Sequence, residues 1–206
     1  KAMITGPGGH SWGAFGLGNP HHAMAKAVNY FADEAARFTS TGIKTSFNVG
    51  RTGGGTSVNS IPFESWAEVD MRSESPSQLK KIDSIFKATM KRGVDEYNAS
   101  IKKGAALTLH LERIGYRPSG TTSEKEPLVQ RAWAASKQFT SNQKLTIVST
   151  NANIPIAHGI PAITIGAGGK SNHEHSLDEW WLNEKGADGI KFVLLTVLME
   201  AGLEKK

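Results

Sequence analysis

Two helix starts written in the same way constrain this chain more than any other feature. Asn19 stands before Pro20, and Ser75 before Pro76. In each pair a polar side chain can accept the orphan N–H groups of a first turn, and the fixed φ and missing N–H of proline suit the first helical position. After the first start, Ala23, Ala27, Tyr30, Phe31 and Phe38 recur at helical spacing until Gly42. After the second, Leu79, Ile82, Phe86, Met90, Val94 and Tyr97 do the same, and Ser75-Pro76-Ser77-Gln78 reads as a capping box.

Strand-like segments surround these helices. Residues 2–5 form a short apolar run, and 45–52 carry Phe47 and Val49 at alternate positions before Gly53-Gly54-Gly55 breaks the pattern. Residues 65–72 place Trp66, Glu68, Asp70 and Arg72 on one face and Ala67, Val69 and Met71 on the other, as a half-buried strand does. Residues 106–114 alternate again through Leu107, Leu109 and Leu111. The order strand, helix, strand, strand, helix, strand predicts an α+β ferredoxin-like (βαββαβ) domain over 1–114. Right-handed crossovers would set both helices on one face of a four-stranded antiparallel sheet, leaving the other face and an edge open.

The pattern then changes. Residues 115–126 are polar and rich in turn formers, which marks a boundary. Residues 127–139 read as a helix, and 145–148 and 162–165 as short buried parallel strands. Residues 184–201 read as a long helix with Ile190, Val193, Leu194, Val197 and Leu198 inside it and Gly202 at its end. This is α/β layering over 115–206 with too few strands to close a domain.

Composition narrows the function classes. The chain has 206 residues, 38% hydrophobic and 21% charged, so it is globular rather than disordered. The net charge of +5 is scattered; the densest basic runs are Lys80-Lys81, Lys102-Lys103 and Lys205-Lys206. None is interleaved with aromatic residues as single-strand binders require, so no nucleic-acid partner is expected. No segment reaches the roughly 20 apolar residues of a membrane span, and none is expected to insert. There is no Cys, which excludes disulfides and thiolate metal sites, leaves His, Asp and Glu as metal ligands, and suits a reducing, cytoplasmic compartment. The chain opens on Lys1 and runs straight into a strand-like stretch without a signal peptide, so it is expected to begin inside a longer protein.

Few residues carry chemistry singly. Gly6-Pro7-Gly8 follows a strand and precedes a helix, but Ser11 replaces the third glycine of a dinucleotide fingerprint and no acidic residue ends the next strand. Turn geometry explains these glycines better. His173-Glu174-His175 with Asp178 and Glu179 is the densest group of possible metal ligands, on a loop that follows an apolar run and Gly166, Gly168 and Gly169. On spacing alone this is either a metal site or a solvated loop.

Taken together, the motifs are more specific. The motifs are Gly6-Pro7-Gly8-Gly9-His10-Ser11, then Gly53-Gly54-Gly55-Thr56-Ser57-Val58-Asn59-Ser60-Ile61-Pro62, then Val69-Asp70-Met71-Arg72-Ser73. They continue with Tyr116-Arg117-Pro118, Ser149-Thr150-Asn151-Ala152-Asn153, Gly159-Ile160-Pro161-Ala162, and Gly168-Gly169 leading to His175 and Glu179. In this order the set resembles the zinc-dependent aminoacylase/carboxypeptidase family. That family includes acetylornithine deacetylase, succinyl-diaminopimelate desuccinylase, glutamate carboxypeptidase and peptidase T.

The resemblance implies a dimerization lid over 1–114, followed by the C-terminal portion of a zinc-exopeptidase catalytic domain over 115–206. It implies a homodimer through the lid, two zinc ions in the intact parent, and a small peptide or N-acyl amino acid as substrate. It makes His175 a zinc ligand and Arg117 the clamp for the substrate carboxylate. It makes His10 and Asn59 lid residues that reach the neighbouring subunit's site, where His10 stabilises an oxyanion. Arg72 becomes a substrate-binding lid residue. The sequence departs from the family where it has no His-X-Asp motif, no Glu-Glu pair, and Asn151 where members carry Asp. The other zinc ligands and the glutamate base are therefore absent, and the chain alone is expected to be inactive and to hold zinc weakly or not at all. The alternative is a stand-alone, non-catalytic dimerization or binding module derived from such an enzyme.

Overall fold

A computed structural model describes residues 1–166 and 168–202; Lys205 and Lys206, the last of the basic runs, lie outside them. The chain divides into two compact units, Lys1–Ser119 and Gly120–Lys206.

The first unit is mixed α and β. Its elements are β1 (Ala2–Thr5), β2 (Gly9–His10), α1 (Pro20–Thr39), β3 (Thr45–Gly54), β4 (Ser60–Ile61), β5 (Glu64–Ser73), α2 (Pro76–Ser100) and β6 (Thr108–Leu111). Both helices start where the Asn-Pro and Ser-Pro pairs place them. Asn19 accepts from the N–H of His21 and His22, and Ser75 from that of Gln78. The second cap is only half of a capping box. The N–H of Ser75 donates to Ser73 Oγ instead, and Gln78 Oε1 is buried without a partner.

Four strands form one sheet in the order β3-β5-β1-β6, antiparallel at every pairing. Alternation decides its faces: Ala2, Ile4 and Ala67 point inward and are fully buried. Against them pack Ala23, Ala27, Phe31 and Ala35 of α1 and Ile82, Phe86, Met90 and Val94 of α2. Phe31 sits edge-on to Phe47 and to Phe86, both at 5.2 Å between centroids, in the geometry aromatic quadrupoles favour. The helices approach closely because Gly93 lacks a Cβ, which would stand 2.5 Å from Ala27 Cα. Asn98 anchors the approach to β6: its Nδ2 donates to Leu107 O at 2.9 Å and its Oδ1 accepts from Leu107 N at 2.8 Å.

Two further details differ from the sequence reading. The glycine run does not end the second strand at its start, because β3 continues to Gly54, opposite Ser65. The register shifts between Val49 and Arg51, a bulge that takes up Gly50. A two-residue pair, β2 with β4, also forms beyond the main sheet; it is too short to leave a periodic signal.

The second unit contains α3 (Pro127–Ser136), α4 (Asn153–Ala157), β7 (Lys170–Asn172), β8 (Trp180–Leu182) and α5 (Gly186–Ala201). Val129, Ala132 and Ala135 give α3 a buried face. The expected parallel strands at 145–148 and 162–165 are not present. A strand exists only through a partner's backbone groups, and residues 145–148 meet none among those described. Their side chains are exposed, Ile147 at 73%.

Candidate functional site

The loop tip of the first unit is built from glycines. Gly8 and Gly9 have φ of 66° and 153°, Gly54 and Gly55 of 122° and 76°, all in the region that L side chains avoid. At Gly54 a Cβ would also stand 2.4 Å from Glu64 O, so the loop leaves β3 at a point where only glycine fits.

The small pair β2–β4 sets Gly9 opposite Ile61 and His10 opposite Ser60. Next to it the N–H of Ser11 donates to Asn59 O at 2.9 Å. His10 and Asn59, distant in sequence, thus become neighbours. The Asn59 side chain accepts from Ser57 Oγ at 2.7 Å. The N–H groups of Trp12 and Gly13 donate to His10 Nδ1 at 3.2 and 3.3 Å. With Nδ1 serving as acceptor, the neutral ring carries its proton on Nε2, an assignment that follows from the hydrogen-bond network. His10 is exposed, so that N–H is presented outward as a donor.

Behind the loop lies a polar cleft of about 490 Å³ lined by Asn19, His21, His22, Gly55, Ser57 and Ser60 among others. His21 Nδ1 bonds the buried Ser65 Oγ at 2.8 Å. Sequence reading passed over His21 because a histidine in the first turn of a helix carries no signal of its own.

Arg72 is not part of this tip. It lies near the far end of β5, opposite Ser46, about 20 Å along the strand from the glycine loop, and its Nε donates to Asp70 Oδ2 at 2.6 Å. Arg117 is exposed in the segment that follows β6.

In the second unit, His175 sits in the turn between β7 and β8. His173 and His175 both have positive φ, 59° and 67°, and the N–H of His175 donates to Glu179 Oε2 at 3.1 Å. Ser171 Oγ donates to Glu174 Oε1 at 2.7 Å, and that bond holds the Glu174 carboxyl below its usual range. Among the described residues no three His, Asp or Glu side chains gather as a metal site would require. The residues present therefore do not by themselves make a zinc site.

The first unit is thus a helix-backed antiparallel sheet whose outer strands are β3 and β6, with a loop tip braced by β2 and β4. Residues 1–98 match the family described as the peptidase dimerisation domain, M20_dimer. No curated protein matches the chain.

Solved structures share its fold. The aminopeptidase PepT from Bacillus cereus ATCC 10987 is 18% identical, with a TM-score of 0.63 over 98% of this chain and 51% of that one. A tripeptidase from Staphylococcus aureus subsp. aureus Mu50 is 20% identical, with a TM-score of 0.61 over 97% and 50%. An amidase of the hydantoinase/carbamoylase family from Burkholderia phymatum is 17% identical, with a TM-score of 0.60 over 97% and 47%. The chain spans about half the length of each. No helix among the described residues is long and apolar enough to cross a membrane.

Proposed function

We propose that the chain is the ferredoxin-like dimerization lid, with the C-terminal portion of the catalytic domain, of a cytoplasmic dinuclear-zinc hydrolase. That enzyme cleaves an amide bond near a substrate carboxylate, in a small peptide or an N-acyl amino acid. The observation that carries this reading is the β2–β4 pairing. It brings together His10 and Asn59, the two residues that the family resemblance carries to the neighbouring subunit's site, and among the described residues His10 Nε2–H has no partner. The peptidases and the amidase that share the fold support the reaction class.

Each side chain has a role in the proposed enzyme. His10 donates to the oxygen that becomes negative as the carbonyl is attacked, acting across the lid dimer on the neighbouring subunit's substrate. Asn59 is held beside it through the Ser11–Asn59 bond and contacts the substrate. Arg117 pairs with the substrate carboxylate in a charge-assisted contact, and Arg72 contributes to substrate binding more remotely. His175 supplies one imidazole to a zinc centre whose other ligands come from outside this chain.

The test uses the longer protein that contains this segment. His10→Ala should lower kcat about 10²–10³-fold, as loss of one oxyanion donor does. A mixed dimer of a His10→Ala subunit with a His175→Ala subunit should recover activity, because one of its two sites then carries both defects and the other neither. An inactive mixture, with subunit exchange confirmed, refutes action across the dimer. Arg117→Ala should raise KM for carboxylate substrates and leave amidated ones unchanged; equal effects on both refute the clamp.

A further inference from the structure

Between the glycine run that ends β3 and the strand β4 stand Thr56, Ser57, Val58 and Asn59, and Ser60 opens β4. Val58 is fully exposed, so hydrogen bonds rather than apolar packing hold this loop. The N–H and the Oγ–H of Ser60 both donate to Ser57 O, at 3.2 and 3.0 Å, and close a turn over Val58 and Asn59. A hydroxyl has a single hydrogen. That of Ser60 is spent on Ser57 O, so Ser60 Oγ meets the Thr56 and Ser57 hydroxyls, at 3.1 and 3.2 Å, as an acceptor. The hydrogen of Ser57 has two acceptors in reach, Asn59 Oδ1 at 2.7 Å and Ser60 Oγ at 3.2 Å. The shorter contact, at the ordinary O–H···O length, takes it, and Thr56 supplies Ser60 Oγ. Each hydroxyl hydrogen is then used once, and the chain of bonds ends on Asn59 Oδ1.

This bookkeeping assigns the Asn59 amide. With the amide reversed, Nδ2 would stand 2.7 Å from Ser57 Oγ, shorter than N–H···O bonds usually are, and the Ser57 hydrogen would compete with Thr56 for Ser60 Oγ. With Oδ1 turned into the loop, Nδ2 keeps both hydrogens, and among the described residues neither has a partner. The two side chains of the tip are thus arranged alike. His10 turns its acceptor Nδ1 onto the Trp12 and Gly13 amides, Asn59 turns its acceptor Oδ1 onto the Ser57 hydroxyl, and each is left with N–H to offer.

We propose that Ser57 is a positioning residue: its hydroxyl holds Asn59 Oδ1 so that Nδ2 faces outward, and the group Asn59 reads on the substrate is an oxygen acceptor. This rests on the reading of Asn59 as a substrate contact. Ser57 touches no substrate and acts through the amide alone. The last side-chain torsion of asparagine is broad and roughly two-fold, so without the hydroxyl the amide turns over. Its oxygen then faces the substrate oxygen, acceptor against acceptor.

The experiment uses the longer protein, with KM and kcat measured on whichever N-acetyl amino acid or tripeptide the wild type hydrolyses best. Ser57→Ala should raise KM about 5–10-fold and leave kcat within about twofold, as loss of a neutral hydrogen bond that serves binding alone does. Ser57→Thr keeps the hydroxyl and should return KM to within about twofold of wild type. Asn59→Asp, equal in shape but acceptor only, should raise KM further than Asn59→Ala. In an Asn59→Ala background, Ser57→Ala should add nothing, because the group it positions is gone. With Asn59→Ala raising KM, three results overturn the role of Ser57 and leave the substrate contact standing. They are a wild-type KM in Ser57→Ala, a rise that is the same with and without Asn59, and a Ser57→Thr enzyme no better than Ser57→Ala. An Asn59→Asp enzyme that binds as well as wild type overturns the outward Nδ2. An Asn59→Ala enzyme with unchanged KM overturns the substrate contact itself, and this inference with it.

Discussion

The two units of this chain bury their apolar residues to very different extents. In the first, Phe31, Ile4, Ile82 and Met90 are fully buried between one sheet face and two helices. In the second, Ile190 of α5 is 71% exposed, with Leu194, Val197 and the 145–148 segment also open. The sequence writes apolar residues at helical or strand spacing in both. Periodicity therefore shows which residues are meant for a core, while burial depends on whether the opposing layer is present. The first unit has both layers. The second leaves apolar side chains of α5 and of 145–148 open among the described residues.

Four measurements sharpen or break this contrast. The largest difference should be in hydrogen exchange. Amides of β5, paired on both sides by β1 and β3, should exchange only through global opening. Those of 145–148 make no hydrogen bond among the described residues and should exchange at least about 10³-fold faster. Equal protection would mean that the second unit is as closed as the first.

Core truncation comes next. Phe31→Ala should cost about 3–5 kcal/mol in urea unfolding, by lost burial and an unfilled cavity. Ile190→Ala, on an exposed face, should cost under about 0.5 kcal/mol. A cost at Ile190 comparable with that at Phe31 would reveal a core on the second unit that the fold does not display.

Asn98→Ala should cost about 1–3 kcal/mol, because both backbone groups of Leu107 lose their partner in a half-buried setting. Asn98→Asp should retain the acceptor role and lose the donor, falling between the two in stability.

The smallest effect is electrostatic and belongs to the first unit alone. Tyr30 Oη donates to Glu96 at 2.6 Å, and Arg92 and Lys26 pair with the same carboxylate. These contacts, the tyrosine bond first, lower its pKa from 4.5 to about 2. A depressed carboxylate contributes stability that is present above the unfolded pKa and lost as pH falls through the folded one. The difference in Tm between the wild-type chain and Glu96→Gln should therefore be steady near neutrality and shrink between about pH 4.5 and 2. A difference that is independent of pH would show that the network holds through packing of Tyr30 and Arg92, which stack at 4.0 Å, rather than through charge.

What the sequence determined by itself is local. The Asn-Pro and Ser-Pro pairs specify helix starts because capping and proline geometry need no distant partner. The alternation of 65–72 specifies which side chains share a face because the period of a strand is fixed by covalent geometry. The motif set brought out His10, Asn59, Arg72, Arg117 and His175, but not which of them meet.

Tertiary structure decided that. It joined His10 to Asn59 through a two-residue ladder, set Arg72 at the other end of β5, and turned His10 Nδ1 toward two backbone amides so that Nε2 is the donor. It also withheld the strands at 145–148 and 162–165. Hydrogen bonds between strands are long-range and form only where a partner's N–H and C=O groups are in reach, and an apolar run in the sequence cannot supply that partner.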